Sequence, residues 1–168
     1  MARHVVRKIF AVTTVFLVIV AILSVFVWHH FSPRRSLPFA LSGEPVIGRR
    51  IYSPFSGAAS PPANAPRLHD FPIIGEPIPF TPALAAELRE ILNSPSTYTI
   101  YDSECFEPGM AASFGDGANR IDVLICLLCN RAVFYSGNSH VGRCISDEGH
   151  KRLSSIYERL FGDTAAAG

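Results

Sequence analysis

Ile9 to Trp28 is a run of twenty residues without a charge (I-F-A-V-T-T-V-F-L-V-I-V-A-I-L-S-V-F-V-W), and it limits this chain more than any other feature. At 1.5 Å per residue a helix of that length matches the roughly 30 Å hydrocarbon core of a bilayer. Fourteen of the twenty are Ile, Leu, Val or Phe, which favours insertion by about 4–8 kcal/mol. Thr13, Thr14 and Ser24 can bond back to their own helix carbonyls, and Trp28 suits the interface. A cleaved signal peptide would have a shorter apolar run ending in a small-x-small site, whereas this one ends in V-W-H-H-F. The run therefore predicts a retained transmembrane helix over 9–28. Arg3, Arg7 and Lys8 precede it and Arg34 and Arg35 follow. That balance places the basic tail, residues 1–8, in the cytoplasm and the remainder outside, in a single-pass inner or plasma membrane protein.

Ten of the thirteen prolines lie between residues 31 and 80, and Ser53 to Pro66 shows no apolar periodicity. Proline fixes φ and removes a donor, so 29–67 reads as a proline-rich linker. Charge divides the chain at the same place. Residues 1–67 carry eight Lys/Arg and one acid, net +7, while 68–168 carry seven Lys/Arg and thirteen Asp/Glu, net −6. Arg34, Arg35, Arg49 and Arg50 could lie against anionic head groups or simply be solvated. An acidic C-terminal half excludes nucleic-acid binding, which requires clustered basic surface.

Residues 68–162 read as a small α+β domain, mostly antiparallel sheet flanked by two helices, with 163–168 a disordered tail. Thr81 and Pro82 open the first helix, whose apolar stripe is Leu84, Leu88, Ile91 and Leu92. Ser146, Asp147 and Glu148 open the second, striped by Leu153, Ile156, Leu160 and Phe161 and closed by Gly162. Strand-like runs lie at 97–101, 121–128 and 132–135, with an edge strand at 71–80. The nearly continuous apolar run Ile121–Leu128 suggests a strand covered on both faces.

All four cysteines, Cys105, Cys126, Cys129 and Cys144, fall in this domain, and outside the cytoplasm disulfides are their default. A hairpin turning at Gly117 places Cys105 opposite Cys129, and a bulge near Pro108-Gly109 would shift the partner to Cys126. Closing a loop of about 25 residues contributes roughly 3 kcal/mol. Two other readings remain open. Cys126, Cys129, His140 and Cys144 have a spacing close to zinc-finger templates. A thiol-dependent enzyme could use Cys105 with Asp102, Glu104 and Glu107. Redox catalysis by C-L-L-C is disfavoured because a strand and turn, rather than a helix, follow it. The chain has no G-x-S-x-G, no Gly-rich loop with Lys and no H-E-x-x-H.

Four segments, H-D-F-P-I-I-G at 69–75, C-F-E-P-G at 105–109, D-V-L-I-C-L-L-C at 122–129 and the closing L-x-x-I-Y-x-x-L-F, resemble a group of uncharacterised bacterial exported or lipoprotein-like proteins. The resemblance covers residues 68–161 and implies an exported, cysteine-stapled domain without a transferable activity. Some of that group carry Arg-His after the proline of C-F-x-P, where this chain has Gly109-Met110. Taken together, the sequence points to a non-enzymatic, membrane-anchored module contacting an envelope protein, without a cofactor unless zinc fills the cysteine set.

Overall fold

In the computed structural model, residues 16–27, 37, 41–56, 59–101 and 104–162 are described. The chain divides into two compact units, 1–33 and 34–168. In the first, residues 16–27 form a helix, α1, with exposed apolar side chains. The rest of the expected membrane span (residues 9–15 and Trp28) lies outside the described residues, as do the basic tail, Arg34, Arg35, Asp102 and the 163–168 tail. Among the described residues no helix is long and apolar enough to cross a membrane.

The second unit is α+β. Its strands are β1 (Val46–Ile51), β2 (Arg67–Leu68), β3 (Phe71–Pro79), β4 (Tyr98–Thr99), β5 (Met110–Phe114), β6 (Ile121–Cys126), β7 (Arg131–Ser136) and β8 (Ser139–Ile145), and its helices are α2 (Pro82–Asn93) and α3 (Asp147–Phe161). They form one sheet in the order β2-β3-β1-β5-β6-β7-β8-β4, with every pairing antiparallel.

The compact domain therefore begins well before residue 68. Val46–Ile51, read from sequence as linker, is an interior strand between β3 and β5. Pro45 and Pro54 flank this strand instead of interrupting it, so no ladder donor is lost. Val46 and Ile51 are buried. Arg49 and Arg50 point to opposite faces of the sheet, as alternation requires. Arg49 donates to Ser113 Oγ at 2.6 Å. Arg50 donates to the Phe161 carbonyl at 2.9 Å and lies 5.2 Å from that ring's centroid. Both are thus engaged within the domain and not spread on lipid. Ser53–Pro66 does lack strand and α-helix among its described residues, with only a 3-10 turn at Pro54–Ser56.

Both helices cover the same face. Leu84, Leu88, Ile91 and Leu92 of α2, and Leu153 and Ile156 of α3, pack on Val46, Met110, Ala112, Phe114, Val123, Ile125 and Phe134. At about 25 cal/mol per Å² this apolar burial is the main force holding the layers together. Thr81 caps α2 by accepting from the Leu84 N–H at 3.3 Å, and Ser146 caps α3 by accepting from Gly149 N–H at 3.1 Å. Gly149 has a second role. A Cβ there would lie 2.4 Å from the Thr97 carbonyl oxygen, so only glycine lets α3 begin against the 3-10 turn Pro95–Thr97. Ser146→Ala is expected to lower unfolding free energy by about 1 kcal/mol, seen as a shift in the urea midpoint at unchanged slope.

The opposite face carries a smaller apolar cluster, Ile51, Leu68, Ala111 and Leu124, with Phe71, Ile73, Phe106 and Tyr135 against it. No helix packs there among the described residues. This helix-free face holds the polar groups that follow.

Candidate functional site

β6 is central, and five of its six residues are buried. Its second residue is Asp122, only 3% exposed. Alternation turns Asp122, Leu124 and Cys126 away from the helices. A carboxylate buried among aliphatic strands is tolerated only with partners, and the sheet supplies three. Ser113, directly opposite on β5, donates its hydroxyl to Asp122 Oδ1 at 2.5 Å. Arg120 Nη2 donates to Oδ2 at 3.0 Å. His69 Nε2 lies 3.2 Å from Oδ2, and because the carboxylate accepts, this nitrogen carries the proton. Arg49 completes the set by donating to Ser113 Oγ. Partial burial lowers the Arg49 pKa, and the charge of Asp122 opposes that shift.

His69 reaches Asp122 from the tight β2–β3 turn, where its φ is +52°. A non-glycine residue in that region has a local backbone cost. Here the imidazole is held on both sides: by Asp122, and by stacking on the Tyr135 ring with centroids 3.7 Å apart and planes at 18°. Asp122, Tyr135 and His140 form one row across β6, β7 and β8. The Tyr135 and His140 ring centroids are 5.8 Å apart. Burial, followed by the charge of Asp70, pushes the Tyr135 phenol up.

The chemistry follows from what each atom is already bonded to. A serine nucleophile needs its hydroxyl on the histidine, but Ser113 is bonded to the aspartate and Arg49 instead. The cluster is a braced patch, one carboxylate set among two guanidiniums, a hydroxyl and an imidazole, on an otherwise open sheet face. The sequence reading missed it, although Asp122 was visible as the lone charge in an apolar strand, the one signal that a buried carboxylate needs partners elsewhere.

The sequence-predicted sulfur residues are placed differently from one another. Cys105 and Cys129 are joined, with Cα atoms 5.9 Å apart, just beyond the end of the β5–β6 ladder. A Cys105 so bonded is no thiolate nucleophile, and Glu104 and Glu107 lie in irregular chain around it. Cys126 and Cys144 are buried thiols. Cys126 Sγ accepts the Cys129 N–H at 3.0 Å, and burial pushes its pKa up. C-L-L-C therefore spans a turn between β6 and β7, with its second sulfur bonded to Cys105.

The four zinc candidates are not brought to one point. Cys126, Arg131 and Cys144 share a row across three strands, which separates the two thiols' strands by about 10 Å. His140 lies further along β8. Among the described residues no group of three or more His, Cys, Asp or Glu is arranged to hold a metal. Comparison with protein-family models, curated proteins and solved structures finds no match to this chain.

Proposed function

We propose that the protein is a membrane-tethered, extracytoplasmic binding module. Residues 9–28 hold it in the bilayer, and its disulfide-linked domain contacts another envelope component through the helix-free face. The observation carrying this reading is the Asp122 cluster. Its carboxylate and the Ser113 hydroxyl are spent on bracing one another, while His69 is held stacked on Tyr135, whose cross-strand neighbour is the exposed His140. A stacked imidazole and phenol held in place suit recognition, because little side-chain entropy remains to be lost on contact. The twenty-residue apolar run and the basic excess before it support the tether.

The test is fractionation and topology of the full chain. The protein is expected in the membrane pellet after alkaline carbonate washing, with a C-terminal reporter active only outside the cytoplasm. Recovery in the soluble fraction, or a reporter active inside, would overturn the proposal.

A further inference from the structure

Three of the four cysteines meet at one corner of the helix-free face. Cys126 ends β6 opposite Arg131 at the start of β7, and the short loop between them is closed by Asn130 at φ +52°. The loop brings Cys129 back over Cys126, whose Sγ accepts the Cys129 N–H at 3.0 Å. The backbone N–H groups of Glu107 and Leu128 donate to the same sulfur. Cys129 carries one sulfur of the disulfide, and Glu107 lies close in sequence to Cys105, which carries the other. A third sulfur is thus held against both segments that the disulfide ties together.

Backbone N–H donors on a sulfur do for a thiolate what water does, stabilising its negative charge. Here they oppose the burial that pushes the Cys126 thiol up. The two ends of the disulfide differ in exposure. Cys129 is 8% exposed, whereas Cys105 lies at the surface. Attack from inside falls on Cys129, and the sulfur it displaces is the one that solvent can receive. Beyond Cys105 the chain is anchored at Gly109, whose N–H donates to the Ile125 carbonyl and whose carbonyl accepts from Ile51, both at 3.0 Å. Between that anchor and Cys105 lies Phe106. It packs on the apolar cluster of the helix-free face, edge-on to Phe71 with ring centroids 5.7 Å apart.

We propose that Cys126 is the internal exchange thiol of the Cys105–Cys129 disulfide, and that this exchange switches the helix-free face between a state with Phe106 pinned and one with it released. Cys126 gives its proton to solvent, and its sulfur bonds to Cys129 Sγ. The Cys129–Cys105 bond breaks, and its electron pair leaves on Cys105, which takes up a proton from solvent. One S–S bond forms as another breaks, so no oxidant or reductant is consumed. Cys105–Cys129 is the resting link. The inference adds regulation to the binding face proposed above and rests on that reading for its consequence. Thiol mapping decides the exchange and fractionation decides the tether, so each can fail without the other.

The experiment incubates the full oxidised chain, in detergent micelles under argon, with iodoacetamide at about pH 7 and about pH 8, followed by acid quenching and non-reduced peptide mapping. The expected product has Cys105 alkylated and Cys126 linked to Cys129. It should form about tenfold faster at the higher pH, because the thiolate fraction limits attack. Without iodoacetamide the map should show the resting link. Cys126→Ser keeps an acceptor for the N–H groups but cannot exchange, so it should leave Cys105 unalkylated, and Cys144→Ser should change nothing. In the trapped form the Glu107 amide should exchange with solvent faster, while Gly109 keeps its protection. If Cys126→Ser fails to fold by circular dichroism, Cys126→Ala replaces it. An unalkylated Cys105 in the wild type, equal alkylation in the Cys126 variant, or Cys144 in the new link would overturn the proposal. So would alkylation of Cys144 at the same rate as Cys105, the mark of unfolding, or a Glu107 amide no faster in the trapped form.

Discussion

Asp122→Ala is expected to cost about 3–5 kcal/mol of unfolding free energy, the range for removing one partner from a buried charged cluster. The loss has several sources. Ser113 keeps a buried hydroxyl without its acceptor, Arg49 and Arg120 lose the nearby negative charge, and His69 loses the bond that offsets its positive φ. Arg120 contributes least, because its side chain is 44% exposed and solvent screens it. Asp122→Asn should fall between wild type and alanine, since it keeps the shape and an acceptor for Ser113 but not the charge. Urea denaturation followed by circular dichroism measures both variants. A change below about 1 kcal/mol for the alanine variant would mean that water, and not the sheet, solvates the carboxylate.

Cutting the Cys105–Cys129 link by changing both residues to serine is expected to cost about 3 kcal/mol, from the chain entropy restored to an unfolded loop with a sequence separation of 24. The same loss should follow reduction of the wild-type protein and be absent on reducing the serine variant. Non-reduced peptide mapping should find Cys105 and Cys129 linked, with Cys126 and Cys144 alkylated only after denaturation because both are buried. Four thiols alkylated in the native protein, or a link from Cys105 to Cys126, would refute the connectivity.

Local signals in the sequence located several elements closely. The Thr81-Pro82 start and the 84/88/91/92 stripe anticipated α2, and Ser146 with Gly162 bracketed α3. The hairpin turning near Gly117 formed as well, but its ladder sets Met110 opposite Ile125, one residue off the register that faced Cys105 with Cys129, and those two cysteines meet beyond the ladder. What escaped was non-local. Val46–Ile51 looked like linker because it lies within the proline-rich stretch, and Gly48, Arg49 and Arg50 give it no apolar pattern to stand out. The reasons for those residues lie far along the chain: Leu160 and Phe80 would collide with a Cβ at Gly48, and Ser113 and Phe161 receive the two arginines. Asp122 escaped likewise, since His69 comes from 53 residues earlier and Ser113 from the neighbouring strand, and only Arg120 is close to it in sequence.

The interior place of β1 also bears on when the fold can be completed. Once synthesised, β1 can pair with β3, but its other edge waits for β5, and Arg50 waits for Phe161, 111 residues later. Closures of that span are entropically slow. A chain emerging from the ribosome thus completes the contacts of β1 only when its last helix is made. Until β5 is made, β1 therefore carries one edge whose backbone groups water must satisfy.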